Sequence, residues 1–411
     1  MILRARILLP VCRPPIENGA VVVSGSRIAA AGAWPQIARQ FSEPPIDLGA
    51  SILLPGLVNA HCHLDYTEMT GLPAPRQFSD WIKSLLALKA AASYSEYAKA
   101  WLQGAAMLAR TGTTSVADIE AVPELLPEVW LSTPLRVASF LEMTGVKSRR
   151  SPEEILAEAA AKIETLEPRR GLVGLSPHAL YSTSAALLEK SARLAREKQW
   201  RVTTHVAESA EEFEMCAHRR GAMFDWLERQ RDMSDCGAGT PMAQVERCGL
   251  LGENFLAIHA NYLLPADIQA LARSGSSVVH CPRSHAYFQH QRFCYQEMAA
   301  AGVNVCLGTD SLASVAGSPR QKPELNLLAE MRQFAAANPA VAPAAIIAMA
   351  TRNGARALGW QGRVGELSVG SLADIISIPF TGRIGEAEAA VIAHPGNVAA
   401  SMIDGQWALQ S

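Results

Sequence analysis

No two of the eight cysteines in this 411-residue sequence are spaced as a CxxC pair. Cys12, Cys62, Cys216, Cys236, Cys248, Cys281, Cys294 and Cys306 are scattered through a large chain. That scatter excludes a disulfide-stapled small scaffold and suits reduced thiols in a cytoplasm. Excess charge is missing too: a net charge of −2 argues against a nucleic-acid surface or a polybasic membrane anchor. Long apolar runs are absent. "MILRARILLPVC" is too short and too interrupted by arginine for a secretory signal, and "PAVAPAAIIAMATRNGARALG" is broken by Pro343 and Arg352 before it could span a bilayer. There is no low-complexity tract and no internal repeat beyond the alternation described below. What is present is a soluble globular composition, 49% hydrophobic, enough for a large core.

Short β-rich runs such as "GAVVVSGSRIAAAG", punctuated by Gly and Pro, fill the chain to about Ile52. Strand-like runs then alternate with helical patterns up to about Gly359. The strands are predicted in "VNAHCH", "TTSVADI", "LRVASFLE", "GLVGLSPH", "RVTTHVAE", "NFLAIHA", "SSVVHCP" and "VNVCLGTD". Between them lie stretches such as "SPEEILAEAAAKIETLE" and "STSAALLEKSARLAREK", both opening on serine as N-cap. Eight β/α repeats predict an α/β fold, a TIM-like (β/α)8 barrel. The tail, "RVGELSVGSLADIISIPF" and "VAASMIDGQW", returns to strands and turns. The expected organisation is a barrel over residues 53–362 and a small β-sandwich domain from residues 1–52 and 363–411.

The polar residues converge on one rim. "LLPGLVNAHCHLDYTEM" places His61 and His63 one residue apart, on the same side of a strand, with Cys62 turned the other way toward the helices. On this stretch alone, two hydrogen-bonded core histidines and a metal clamp are both open readings. The remaining strands decide between them. His178 ends the fourth strand, His205 the fifth, His259 the sixth, His280 the seventh and Asp310 the eighth, all at the end where barrel chemistry gathers. Packing does not explain that joint placement, so His61 and His63 are read as the start of a metal site.

"PGLVNAHCHLD", "THVAES", "AIHA", "HCPRSH", "GTDSLAS" and "ATRNGARALG" resemble the amidohydrolase superfamily over nearly the whole chain. The nearest branch holds chlorohydrolases, guanine deaminase, and methylthioadenosine/S-adenosylhomocysteine and aminodeoxyfutalosine deaminases. The resemblance implies His61, His63, His205 and Asp310 as ligands of one divalent metal, Zn²⁺ first, with Fe²⁺ compatible with the same donors. Binuclear relatives use a lysine from the fourth strand, and "GLVGLSPHAL" has none. It also implies hydrolytic deamination of an amino-substituted aromatic ring, with Asp310 taking a proton from the attacking water. Glu208 would deliver a proton to the ring nitrogen, and His259 would hydrogen-bond the water or the developing oxyanion.

His178, Arg283 and Ser311 are the expected substrate contacts, Arg283 through an anionic or carbonyl group, with a surface or interstrand salt bridge as its equally open alternative; His280 is either a contact or a support for one. "FSDWIKSLLALKAAASYSEY" lacks the ribose-binding glutamate of methylthioadenosine deaminases, with Lys89 and Ala90 near its place. "CPRSHAYF", with His285 where the family has Asn, is most similar to aminodeoxyfutalosine deaminases. A chlorohydrolase or guanine/cytosine-type deaminase shares the same parts. A cyclic-amide or dipeptide hydrolase and a non-catalytic relative are the alternatives from other classes. A small-molecule substrate and a homodimer are expected, with neither nucleic acid nor membrane as partner.

Overall fold

A computed structural model describes residues 1–72, 77–317 and 322–410. Its strands, in chain order, begin with β1 (Ile2–Leu8), β2 (Ile16–Ser24), β3 (Arg27–Ala33), β4 (Pro45–Asp47) and β5 (Ser51–Pro55). Eight follow: β6 (Leu57–Cys62), β7 (Thr113–Glu120), β8 (Arg136–Met143), β9 (Leu172–Pro177), β10 (Val202–Val206), β11 (Phe255–His259), β12 (Ser277–His280) and β13 (Asn304–Leu307). The chain ends with β14 (Ile375–Pro379), β15 (Ala400–Ile403) and β16 (Gln406–Gln410). β6 to β13 pair in sequential order, all parallel, with helices in the crossovers. The predicted α/β barrel is the fold. One of the two quoted helices starts as read, with Ser151 in a capping box with Glu154; in the other the cap is Ser184 and not the opening Ser182.

The barrel closes where β13 meets β6. Asp310 bridges Cys62, the Thr309 and Asp310 amides donate to the His61 carbonyl at 3.0 and 3.2 Å, and Asn59 exchanges hydrogen bonds with Thr309. A side chain on Gly308 would collide with β6, its Cβ falling 2.8 Å from the His61 carbonyl oxygen. Val58, Ala60, Ile119, Phe140, Leu256 and Ile258 pack together as one of the apolar clusters, with Leu358 and Trp360 against them. The terminal strands form one continuous mixed sheet in the order β16-β15-β14-β5-β1-β2-β3, with β4 beside β1. Buried Arg136, at the start of β8, ties the two sheets together through Asp374 (3.3 Å) and Asp404 (2.6 Å). Among the described residues no helix is long and apolar enough to cross a membrane.

Candidate active site

His61, His63, His205, His259 and Asp310, all buried, meet at the C-terminal ends of their strands. Nitrogen and oxygen atoms of His61, His63 and His205 lie within 4.8 Å of one another, as do those of His61, His259 and Asp310, so either set could hold a metal ion. Asp310 Oδ1 is 3.6 Å from His61 Nε2 and 3.9 Å from His63 Nε2, and Ser314 donates to its Oδ2 at 2.8 Å. Cys62 falls outside this cluster, among apolar side chains that include Trp101 and Leu108.

The ring nitrogens fit a cation. His205 Nδ1 contacts the His178 carbonyl at 2.9 Å, which places its proton there and leaves Nε2 a bare lone pair. That Nε2 lies 3.3 Å from His63 Nε2. Both nitrogens of His61, His63 Nδ1 and His259 Nε2 are buried without a hydrogen-bond partner among the described residues. Burial first, then repulsion from neighbouring imidazoles (His61 for His63, His178 for His205), pushes both well below the usual imidazole range, so their rings are neutral and their lone pairs available. Burial alone would raise the Asp310 carboxyl, but His61, His259 and His63 hold it well below the carboxylate range.

Glu208 stands beside this cluster. It lies three positions past His205, so an unbroken strand would aim it away; Ala207, at φ +51°, turns the chain back. His259, Ala260 and Asp310 also have positive φ (+68°, +48° and +53°), so left-handed backbone recurs around the rim. Glu208 Oε1 lies 3.4 Å from His259 Nε2, and the Tyr181 hydroxyl donates to Oε2 at 3.4 Å. The Glu208 amide donates to Glu212 at 2.7 Å, and Asn261 donates to its carbonyl. Burial, then Asp310 and Glu212, raise the Glu208 carboxyl well above its ordinary value.

His63, His205, Glu208, Tyr181 and Asp310 line a cavity of about 270 Å³, whereas His61 and His259 are not among its lining residues. Ser311 and His178 line it as well, with His178 Nδ1 2.8 Å from the Ser182 hydroxyl. The outer wall is apolar, built by Trp81, Ile82, Leu85 and Leu86 of the helix Phe78–Ala91 together with Trp226 and Leu227. Glu211 fixes that helix by accepting from the Phe78 amide at 2.6 Å. Arg283 is not among the lining residues. Its guanidinium pairs with fully buried Glu330 and donates to the Glu324 carbonyl, so the expected contact with a substrate anion has no geometric basis. His280 is also outside the lining, stacked on Phe293 with ring centroids 3.7 Å apart.

Among the charged lining residues, Glu142 was not singled out in the sequence, and Lys89 was noted only as standing near the place of an absent glutamate. Glu142, near the end of β8, and Lys89 form an ion pair at 3.3 Å, and Lys89 also reaches the Tyr66 hydroxyl. Burial would raise the Glu142 carboxyl, but Lys89, His178 and His63 bring it down to about 2. A single carboxylate closing the apolar run "LRVASFLEM" was the available signal, the same strand-end criterion that picked out the histidines.

The sequence pattern of the amidohydrolase family matches residues 52–408. A 5-methylthioadenosine/S-adenosylhomocysteine deaminase of Syntrophobacter fumaroxidans is 30% identical over 379 residues, covering 89% of this chain and 80% of that protein. An aminodeoxyfutalosine deaminase of Deinococcus radiodurans is 29% identical over 355 residues, covering 83% and 81%. Among solved structures, a zinc-bound adenosine deaminase from Xanthomonas campestris superposes with a TM-score of 0.85 at 25% identity, covering 100% of this chain and 92% of that one. With a strand-end histidine cluster on a (β/α)8 barrel and a family pattern running almost from end to end, this chain belongs to the amidohydrolase family and is a hydrolase of carbon–nitrogen bonds.

Proposed function

We propose that the protein is a metal-dependent deaminase that releases ammonia from an adenine-nucleoside-like substrate. The observation that carries this is Glu208: a buried carboxyl, raised in pKa, beside a histidine–aspartate cluster in a cavity with an apolar outer wall. His61, His63, His205 and Asp310 would hold one divalent ion, with Zn²⁺ favoured by three imidazoles and a carboxylate. When bound, the ion would supply the Lewis acidity that makes water a nucleophile near neutral pH. Asp310 takes the proton of the attacking water. Glu208, in its acid form, gives its proton to the ring nitrogen next to the carbon under attack, and Tyr181 holds it in place. As the carbon–nitrogen bond breaks, the proton held by Asp310 passes to the departing amino group, which leaves as ammonia, and the proton of the newly added hydroxyl returns to Glu208. His259, facing Glu208, is assigned a hydrogen bond to the developing oxyanion rather than ligation. The names of the relatives from Syntrophobacter and Deinococcus support adenine nucleosides as the substrate class. With Arg283 paired internally, the aminodeoxyfutalosine reading loses its anion contact, and no member of the class is preferred.

An ammonia-release screen of the zinc-loaded protein tests this. It should cover adenosine, 5′-methylthioadenosine, S-adenosylhomocysteine, aminodeoxyfutalosine, guanine and a triazine. Turnover of at least one adenine nucleoside is expected, abolished by chelation and restored by zinc. Metal-loaded protein that releases ammonia from none of the four adenine nucleosides would refute the assignment.

A further inference from the structure

Glu142 Oε2 is buried and, among the described residues, has no hydrogen-bond donor, although Oε1 of the same carboxylate is engaged by Lys89. His178 Nε2, at 3.9 Å, is too distant to supply one. A buried acceptor left unpaired is costly, and the residue that carries it lines the cavity, its side chain 10% exposed. His178 is the spacer between this atom and the metal end: its ring centroid is 4.6 Å from that of His205. A ring reacting beside His205 would therefore carry its substituent past His178 toward Glu142. The Lys89 ammonium already balances the carboxylate, so a second cation would be repelled by Lys89 and an anion by Glu142. A neutral donor suits both charges.

We propose that Glu142 is a specificity-determining residue whose Oε2 accepts a hydrogen bond from a hydroxyl on the sugar-like substituent of the substrate, with Lys89 positioning the carboxylate. This assignment rests on the nucleoside reading above. It also gives Lys89 a role at the place where the sequence lacks a ribose-binding glutamate.

Trp81 and Trp226 line the cavity, so binding can be followed by intrinsic fluorescence. Zinc-loaded protein carrying Glu208→Gln throughout, so that turnover is suppressed, is titrated with adenosine and with 2′,3′-dideoxyadenosine, wild type denoting the native residues at positions 89 and 142. Wild type is expected to bind adenosine ~10- to 100-fold tighter, the worth of one hydrogen bond to a charged acceptor. Glu142→Gln should narrow that gap at least ~5-fold, because a neutral acceptor is weaker. The double variant K89M/E142L, which removes both charges together and so leaves neither stranded, should abolish it; it decides the matter should the single variant fail to fold. A wild type that does not discriminate, or a gap unchanged in the variants, overturns the assignment. Discrimination in binding, without ammonia release from adenosine or any other adenine nucleoside by the protein with Glu208 intact, would sink the deaminase reading and leave Glu142 in its role. Deamination without discrimination would do the reverse.

Discussion

At the scale of single residues, burial decides what each titratable group can do. Glu208 is a carboxyl that burial favours as the acid, whereas Asp310 is kept a carboxylate by the imidazoles around it. Glu208→Gln keeps shape and hydrogen-bonding reach but cannot pass on a proton. It is expected to retain its metal and lose ~10²–10⁴-fold in kcat with little change in KM. Metal analysis and steady-state kinetics on one preparation check this, and metal loss would make Glu208 a support of the cluster instead. Glu142 differs in sign, its carboxyl lying at about 2 against an ordinary 4.5. Between those values the folded state binds fewer protons than the unfolded one. The stability contributed by the Glu142 charge is therefore complete above about pH 5 and drains away as the pH falls toward 2. The difference in urea unfolding free energy between wild type and Glu142→Gln should narrow over that window. A gap constant from pH 6 to pH 3 would show that the carboxylate gains nothing from Lys89.

At the scale of elements, strand ends supply position and their backbone supplies aim. Plain alternation places His61 and His63 on one side and Cys62 on the other. It does not place Glu208 or His259, which depend on the left-handed turns at Ala207 and at His259 itself. The seam between β13 and β6 is equally specific, because Gly308 lets one backbone lie against the other at His61. Gly308→Ala puts a methyl 2.8 Å from the His61 carbonyl oxygen and 3.0 Å from its amide nitrogen, so β6 must shift and carry His61 with it. A destabilisation of ~1–3 kcal/mol is expected. Metal affinity should also weaken by ~10- to 100-fold, as when the support of a ligand is lost. Dialysis against graded chelator measures the second effect; unaltered retention would mean that the seam absorbs the methyl without moving the histidine.

For the whole molecule, the barrel and the sheet of both chain ends are joined through charge as well as apolar packing. Arg136 is 3% exposed in its side chain and Asp374 1%, and burial raises the Asp374 carboxyl while Arg136 opposes that rise. Arg136→Met leaves Asp374 buried without its partner, at the end of the barrel opposite the candidate site. It is expected to cost ~3–5 kcal/mol in unfolding free energy with kcat unchanged, and R136M/D374N should recover part of the loss. Chemical denaturation of the metal-loaded protein checks this. A cost below ~1 kcal/mol would mean that the ion pair is dispensable to the junction.

The sequence by itself determined the eight β/α units, because strand-like runs and capped helical stretches are local patterns carried by adjacent residues. It also placed the histidines and Asp310 at one end of those strands, since the end of a run is a local feature. The ion pairs across the fold were decided only in three dimensions. Arg283 reads as a rim cation in "HCPRSH", and only tertiary packing brings Glu330 from a helix 47 positions away to engage it. Lys89 and Glu142 are 53 positions apart, and their pairing depends on the tilt of one helix over the barrel mouth. Periodicity records which way a side chain faces, not which charge from a distant segment will meet it.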